Sequence, residues 1–205
     1  MKNAPITKEG CAFAVAWSVA CRSKCGAHCG DGYTLMQHGR QVYAWVIDGL
    51  GSGLLAQKDA DTGLQAVQSE MEAGLARTFD FAHSALKQGR GAAMAGVTID
   101  LARGVLTWAA VGDVDGVVLH RGEVAASLIQ KSGTLGLNYP GPSLTQVQLE
   151  AGDVILLSTD GISRRYRTDL PSQQPIEGYS QKILHQYGKV NDDCLVLGLE
   201  VLAAS

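Results

Sequence analysis

The chain reads as an α+β fold, and three observations predict it. Strand-like segments come first, two consecutive helical stretches follow, and strands then dominate, an order unlike the strict alternation of a parallel α/β chain. The run Val154-Ile-Leu-Leu-Ser158 is continuously apolar, as in a strand buried on both faces. At 205 residues, folded surface scales to roughly 9,200 Å² against about 31,000 Å² unfolded, enough burial for one real core but not for two full domains. A single domain over 1–205 is expected, with no linker or internal repeat to divide it.

Each element follows from local pattern. Residues 11–22 (CAFAVAWSVACR) form a first strand; the apolar part is too short to span a bilayer, and Glu9 abuts it, so a strand fits better than a leader. Gln41 to Ile47 is a second, ending at Asp48 and a glycine-rich loop, Gly49-Leu50-Gly51-Ser52-Gly53. Leu64, Val67, Met71 and Leu75 recur at helical spacing, as do Leu75, Phe79, Ala82 and Leu86, with Gly89 and Gly91 ending the second helix. Strands are then expected at Gly96–Ile99, Val105–Val111, Val117–Leu119, Glu123–Leu128, Val147–Leu149 and Val154–Ser158, with an Arg121-Gly122 hairpin turn. A helix over Gly178–Tyr187 and a strand over Cys194–Leu202 close the chain. Trp17, Trp45 and Trp108 each fall in a strand and read as core.

Composition excludes several function classes. Charged residues are 18% and the net charge is −3, which gives no polyelectrolyte signal for nucleic acid and no sign of disorder. Five cysteines are an odd number for a disulfide framework and fit reduced, cytoplasmic thiols. Cys21, Cys25 and Cys29 with His28 lack the distant second pair that a zinc site needs. Glycine is the outlier, 25 of 205 residues, about 12% where ~7% is usual.

Many of those glycines adjoin acids. Six aspartates touch a glycine (Asp31, Asp48, Asp113, Asp115, Asp153 and Asp160), and several stand at strand ends. Asp48 and Asp160 each end an apolar strand, Asp192-Asp193 opens another, and Asp31 and Asp113 lie beside strands. Asp153 reads as a turn residue. Carboxylates gathered at one sheet edge repel one another unless protonated or bound to a cation. Hard oxygen donors suit Mg²⁺ or Mn²⁺, and a pair of such ions clamps an in-line phosphoryl displacement. Glycines beside the acids would let backbone carbonyls and water approach a metal. Gly49-x-Gly51-x-Gly53 is not a dinucleotide loop, because position 54 is Leu and Asp48 would repel a pyrophosphate.

The ordered set Gly30-Asp31, Val46-Ile-Asp48-Gly49-Leu-Gly51-Ser-Gly53, Val111-Gly112-Asp113, Gly133-Thr-Leu-Gly136, Ser158-Thr159-Asp160-Gly161 and Asn191-Asp192-Asp193 resembles the metal-dependent protein phosphatase (type 2C) family. The compact length and the DGLGSG loop are most similar to its SpoIIE-like bacterial branch, and within it to stressosome phosphatases of the RsbX type. The resemblance implies a four-layer αββα sandwich of two mainly antiparallel sheets flanked by helices, without the flap subdomain of larger relatives. It implies two Mn²⁺ or Mg²⁺ ions, with a third at a weaker site. By that resemblance Asp48 bridges two metals, the Gly49 carbonyl ligates one, Asp160 and Asp192 bind the other, and Asp31 holds metal-bound water. Asp113 supplies the weaker site, and Asp193 is the alternative to Asp192. The implied reaction is hydrolysis of phosphoserine or phosphothreonine by a metal-bridging hydroxide. The implied substrates are phosphorylated stressosome scaffold proteins or an anti-sigma-factor antagonist, acted on by a cytoplasmic monomer that needs neither membrane nor nucleic acid. Two departures stand out. The loop carries Leu50 and Ser52 where many relatives have His, so the general acid is missing, and no arginine near Asp31 grips phosphate. Arg164 and Arg165, just after Asp160, are the candidate phosphate ligands. The missing histidine leaves a second reading, a catalytically weak phosphatase fold that binds a partner.

Overall fold

The computed structural model describes residues 10–24, 26–168 and 175–204. Its order is β1 (Phe13–Arg22), β2 (Asp31–His38), β3 (Gln41–Gly49), α1 (Gly53–Glu70), α2 (Leu75–Ala85), β4 (Ala92–Asp100), β5 (Val105–Val111), β6 (Val114–His120), β7 (Glu123–Ser127), β8 (Thr145–Gln148), β9 (Val154–Thr159), α3 (Ile176–Tyr187) and β10 (Cys194–Ala203). Ten strands make two five-stranded antiparallel sheets, ordered β1-β10-β9-β6-β7 and β2-β3-β4-β5-β8.

Period-two burial stacks the sheets. Val42, Ala44 and Val46 of β3 face Ile155 and Leu157 of β9 and Leu195, Leu197 and Leu199 of β10 across one buried cluster that also holds Trp108. The opposite face of β3, with Trp45 and Ile47, packs under α1 and α2 on Ala60, Val67, Phe79 and Leu86. The Trp45 and Phe79 rings meet at 5.2 Å in a tilted pair. On the other side Leu156 and Val196 pack under α3 against Tyr179, Ile183 and Leu184. The result is the expected αββα sandwich. Trp45 and Trp108 are fully buried, and Trp17 is half-buried against Tyr33. The Arg121-Gly122 turn joins paired His120 and Glu123 with positive φ at both residues, as a tight hairpin requires.

Three segments depart from the pattern reading. β2 has no counterpart in it: Asp-Gly-Tyr-Thr-Leu-Met-Gln-His lacks an apolar run because Gly32 and Thr34 pack under Leu64 and Gln68 of α1, leaving only Tyr33 and Leu35 as apolar residues on the intersheet core. β4 starts at Ala92 rather than Gly96, with Ala92 and Met94 buried under the helices and Ala93 and Ala95 in the intersheet core. β6 starts at Val114 rather than Val117, just after the chain crosses from one sheet to the other at Gly112-Asp113. Residues 128–144, between β7 and β8, contain no helix or strand beyond isolated bridges, so no flap subdomain is inserted.

Candidate metal centre

The sandwich brings the C-terminal ends of β3 and β9 and the start of β10 to one edge. A cleft of about 360 Å³ opens there, lined by Asp48, Leu50, Gly51, Asp113, Asp160 and Asp192, with Gly112, Gly133 and Thr134 on the facing wall. A second hollow of about 290 Å³ shares Asp113 and Asp160 and adds Arg164 and Lys189.

Close backbone contact builds this edge. Gly49 leaves no room for a Cβ, which would lie 2.1 Å from the Ala56 carbonyl oxygen in the first turns of α1. A Cβ on Gly161 would lie 1.8 Å from the Asp193 carbonyl oxygen. These two glycines therefore stand beside acids because chain segments meet there, β3 with α1 and the end of β9 with the start of β10.

Each anticipated acid has a distinct setting. Asp31 and Asp48 are register partners across β2 and β3, on the intersheet face. Asp31 is buried and accepts a 2.6 Å hydrogen bond from Thr159 Oγ1, which in turn accepts from the Leu195 amide at 3.0 Å. Burial first, and then the Asp48 charge, push the Asp31 carboxyl up to about 9. Asp48 is pushed up to about 7, by burial and then by Asp160, Asp192, Asp193 and Asp113 in turn. Asp160 is also raised, by burial and Asp192, with Lys189 opposing. Asp192 lines the cleft, whereas both Asp193 oxygens accept backbone amides, from Lys24 at 2.7 Å and Gly30 at 2.8 Å. Of the adjacent pair, Asp192 is the one on the cleft. Asp113 sits at the rim, its side chain 71% exposed and 2.9 Å from Arg164 Nη2. Arg165 is exposed and contributes no lining to either hollow.

The donor set is hard oxygen throughout, and its mutual repulsion is what a divalent cation relieves. The carboxylates line the cleft rather than converge on one point: among the described residues no three His, Cys, Asp or Glu side chains surround a common centre. That arrangement suits an ion that keeps several waters and takes one or two carboxylates, as Mg²⁺ does. No histidine lines either hollow. His28, His38, His83 and His120 are each engaged elsewhere, with Gln57, Glu72, the Gly136 amide and Asp153. Cys25 of the cysteine-rich stretch lies outside the described residues.

Sequence reasoning missed Thr159, Lys189 and Arg90. Thr159 was legible only as a neighbour of Asp160, yet it fixes Asp31. Lys189 bonds through its amide to the Gly161 carbonyl at 2.8 Å and sets its charge near Asp160. The Arg90 guanidinium packs over Gly51, close enough that a Cβ there would meet Nη1 at 2.8 Å. Thr159→Val keeps the shape but leaves Asp31 and the Leu195 amide without their partner. It is expected to cost about 1–3 kcal/mol in urea unfolding; an unchanged midpoint would show that the bond carries no stability.

The model of the family described as Stage II sporulation protein E (SpoIIE) matches residues 38–201. No curated protein matches. Among solved structures, one described as "The bacterial stressosome: a modular system that has been adapted to control secondary messenger signaling" is 25% identical, with a TM-score of 0.83 over 91% of this chain and 99% of that one. RsbX in complex with magnesium is 22% identical, with a TM-score of 0.82 over 97% of this chain and 98% of that one. The PP2C phosphatase domain of SpoIIE from Bacillus subtilis, with a fragment of its regulatory domain, is 20% identical, with a TM-score of 0.80 over 94% of this chain and 64% of that one. With four-fifths of its length matched by that model, the chain belongs to the SpoIIE family, and it shares the fold of the PP2C phosphatase domain of SpoIIE.

Proposed function

We propose that the chain is a Mn²⁺- or Mg²⁺-dependent phosphoserine/phosphothreonine protein phosphatase. The observation that carries this reading is the meeting of Asp48, Asp160 and Asp192, from three separate strand ends, in one cleft where repulsion and burial hold Asp48 up to about 7. These three carboxylates, with the Gly49 carbonyl, would hold two ions, and Asp113 at the rim a third. When bound, such ions supply Lewis acidity to the phosphoryl group and acidify water. Asp31, fixed by Thr159 and paired in register with Asp48, would hold metal-bound water. Arg164 and Lys189, in the adjoining hollow, place positive charge where a phosphate oxygen would lie. One chain supplies every one of these groups, in keeping with a monomer.

As substrates we propose phosphorylated stressosome scaffold proteins, supported by the likeness to a stressosome component and to RsbX. A phosphorylated anti-sigma-factor antagonist is the alternative within the same chemistry. No helix among the described residues is long and apolar enough to cross a membrane, and the site of action we propose is the cytoplasm. The test is hydrolysis of both phosphoproteins by the purified chain with Mn²⁺, and its loss with chelator. Full activity in chelator overturns the metal mechanism. One observation favours a second reading, a partner-binding module without turnover: Leu50 rather than a histidine lines the cleft. Calorimetry separates the two, since a module that has lost its metals shows no saturable Mn²⁺ binding.

Asp153→Asn serves as the control. Asp153 precedes β9, at the strand end opposite Asp160, where its carboxylate accepts from the Glu150 amide at 2.8 Å and from His120 Nδ1 at 2.7 Å. The variant is expected to keep full phosphatase activity while losing about 1–3 kcal/mol of stability. Loss of turnover in a folded Asp153→Asn protein would contradict the placement of the site.

A further inference from the structure

Behind the acidic cleft, two thiols lie together. Cys21, near the end of β1, and Cys29, just before Gly30, place their sulfurs 3.4 Å apart. Cys21 is exposed and Cys29 half-buried. The sulfurs need to close by only about 1.4 Å to reach the usual ~2.05 Å bond. The other described thiols are engaged or distant: Cys194, on the neighbouring strand, is buried with its sulfur 3.4 Å from the Arg22 guanidinium, and Cys11 lies before the far end of β1. His28 turns to Gln57 at 2.9 Å, away from any zinc role with these sulfurs.

We propose that Cys21 and Cys29 form a redox modification site, an oxidisable pair that closes to a disulfide and weakens metal binding in the neighbouring cleft. The oxidant class is a peroxide. The Cys21 thiolate attacks one peroxide oxygen, giving a sulfenic acid and, after protonation of the leaving oxygen, one water. The Cys29 sulfur then displaces the sulfenic oxygen, which leaves with a proton as a second water. Two thiols and one hydrogen peroxide thus become one disulfide and two waters, and a dithiol reductant reverses the change. The hydrogen bond from Cys29 holds the Cys21 thiol below its usual range, favouring Cys21 as the attacking sulfur.

The link reaches the cleft through backbone. The Gly30 amide donates to Asp193 Oδ2, the Gly30 carbonyl accepts from the Gly49 amide at 2.9 Å, and the Lys24 amide donates to Asp193 Oδ1. Drawing Cys29 toward β1 pulls on this clamp, which holds the start of β2 with Asp31 and the end of β3 with Asp48.

The experiment treats the reduced chain with hydrogen peroxide and maps cross-links by mass spectrometry after non-reducing tryptic digestion, with a Mn²⁺ isotherm before and after. The expected result is a Cys21–Cys29 bond, free Cys11 and Cys194, a several-fold loss of Mn²⁺ affinity, and recovery with dithiothreitol. Cys21→Ser and Cys29→Ser should each abolish both the bond and the affinity loss, whereas Cys25→Ser should keep both; circular dichroism checks folding. A bond through Cys25, oxidation without a cross-link, no reaction at peroxide levels that oxidise free cysteine, or a Cys21–Cys29 bond that leaves Mn²⁺ affinity unchanged each overturns the proposal. The proposal rests on the metal reading of the cleft. A reduced chain that shows no saturable Mn²⁺ binding sinks that reading, and with it the coupling, whereas the cross-link map still decides the thiol pair.

Discussion

Asp48→Asn and Asp160→Asn are each expected to lower Mn²⁺-dependent phosphatase turnover by at least about a hundredfold, since even groups that only support a metal's ligands are worth about 10–100-fold. The substitution keeps volume and one acceptor oxygen but removes the charge a divalent ion requires. A second readout separates this from a folding defect. Asp48 is pushed up to about 7 by burial and by acids around it, so near neutral pH the metal-free fold carries a poorly solvated, repelled group there. Asn removes that burden. The metal-free Asp48→Asn protein should therefore melt no lower than the parent, and above it at pH 8, while the Mn²⁺-induced rise in Tm shrinks sharply. Asp160 is raised for the same reasons, with Lys189 as a partial counterweight, so its neutralisation should stabilise less. A large drop in Tm with either variant, or turnover within a few-fold of the parent, would show that these acids support the fold rather than a metal.

The parts of this site that sequence reveals are those whose chemistry is local. Asp48 and Asp160 stand at the ends of the apolar strands QVYAWVI and VILLST, and a carboxylate immediately after a buried run must emerge at a sheet edge. That the edges coincide follows from sheet stacking, which no local window contains; the ordered likeness to a phosphatase family supplied it. Asp192 and Asp193 are alike in sequence, and only the fold separates them, by giving both oxygens of Asp193 to the amides of Lys24 and Gly30. β2 escaped because the face it turns to α1 carries Gly32 and Thr34 rather than apolar side chains, so no apolar run forms. The glycine excess showed that tight approaches exist, but not which: at Gly49 and Gly161 the approaching atoms come from Ala56 and Asp193, residues that become neighbours only through packing. Arg90 comes to Gly51, Lys189 to Asp160 and Thr159 to Asp31 by the same non-local route, as Cys21 comes to Cys29.

The pH dependence of stability should reverse the usual carboxylate trend. Asp31 lies up to about 9 and Asp48 up to about 7 in the folded chain, against an ordinary aspartate near 3.8. For both, the folded state keeps a proton that the unfolded state has released, so the free energy of unfolding contributed by these groups falls as pH rises from about 4. Asp48 stops contributing to that decline above about 7, and Asp31 above about 9. The metal-free protein is thus expected to lose Tm between pH 5.5 and 8.5. Divalent ions act in the opposite sense, because they bind carboxylates rather than carboxylic acids and must displace the Asp48 proton below pH 7. At a metal concentration of a hundred dissociation constants the folded state gains about 2.7 kcal/mol, a rise of about 5–10 °C for a chain of this size. That rise should be present at pH 8.5 and largely absent at pH 5.5, so the two melting curves converge as pH falls. Differential scanning calorimetry with and without Mn²⁺ at both pH values measures this. Equal metal-induced shifts at both ends, or a metal-free Tm that climbs with pH, would mean that the acids at the cleft are solvated and paired, leaving no crowded negative charge for a cation to relieve.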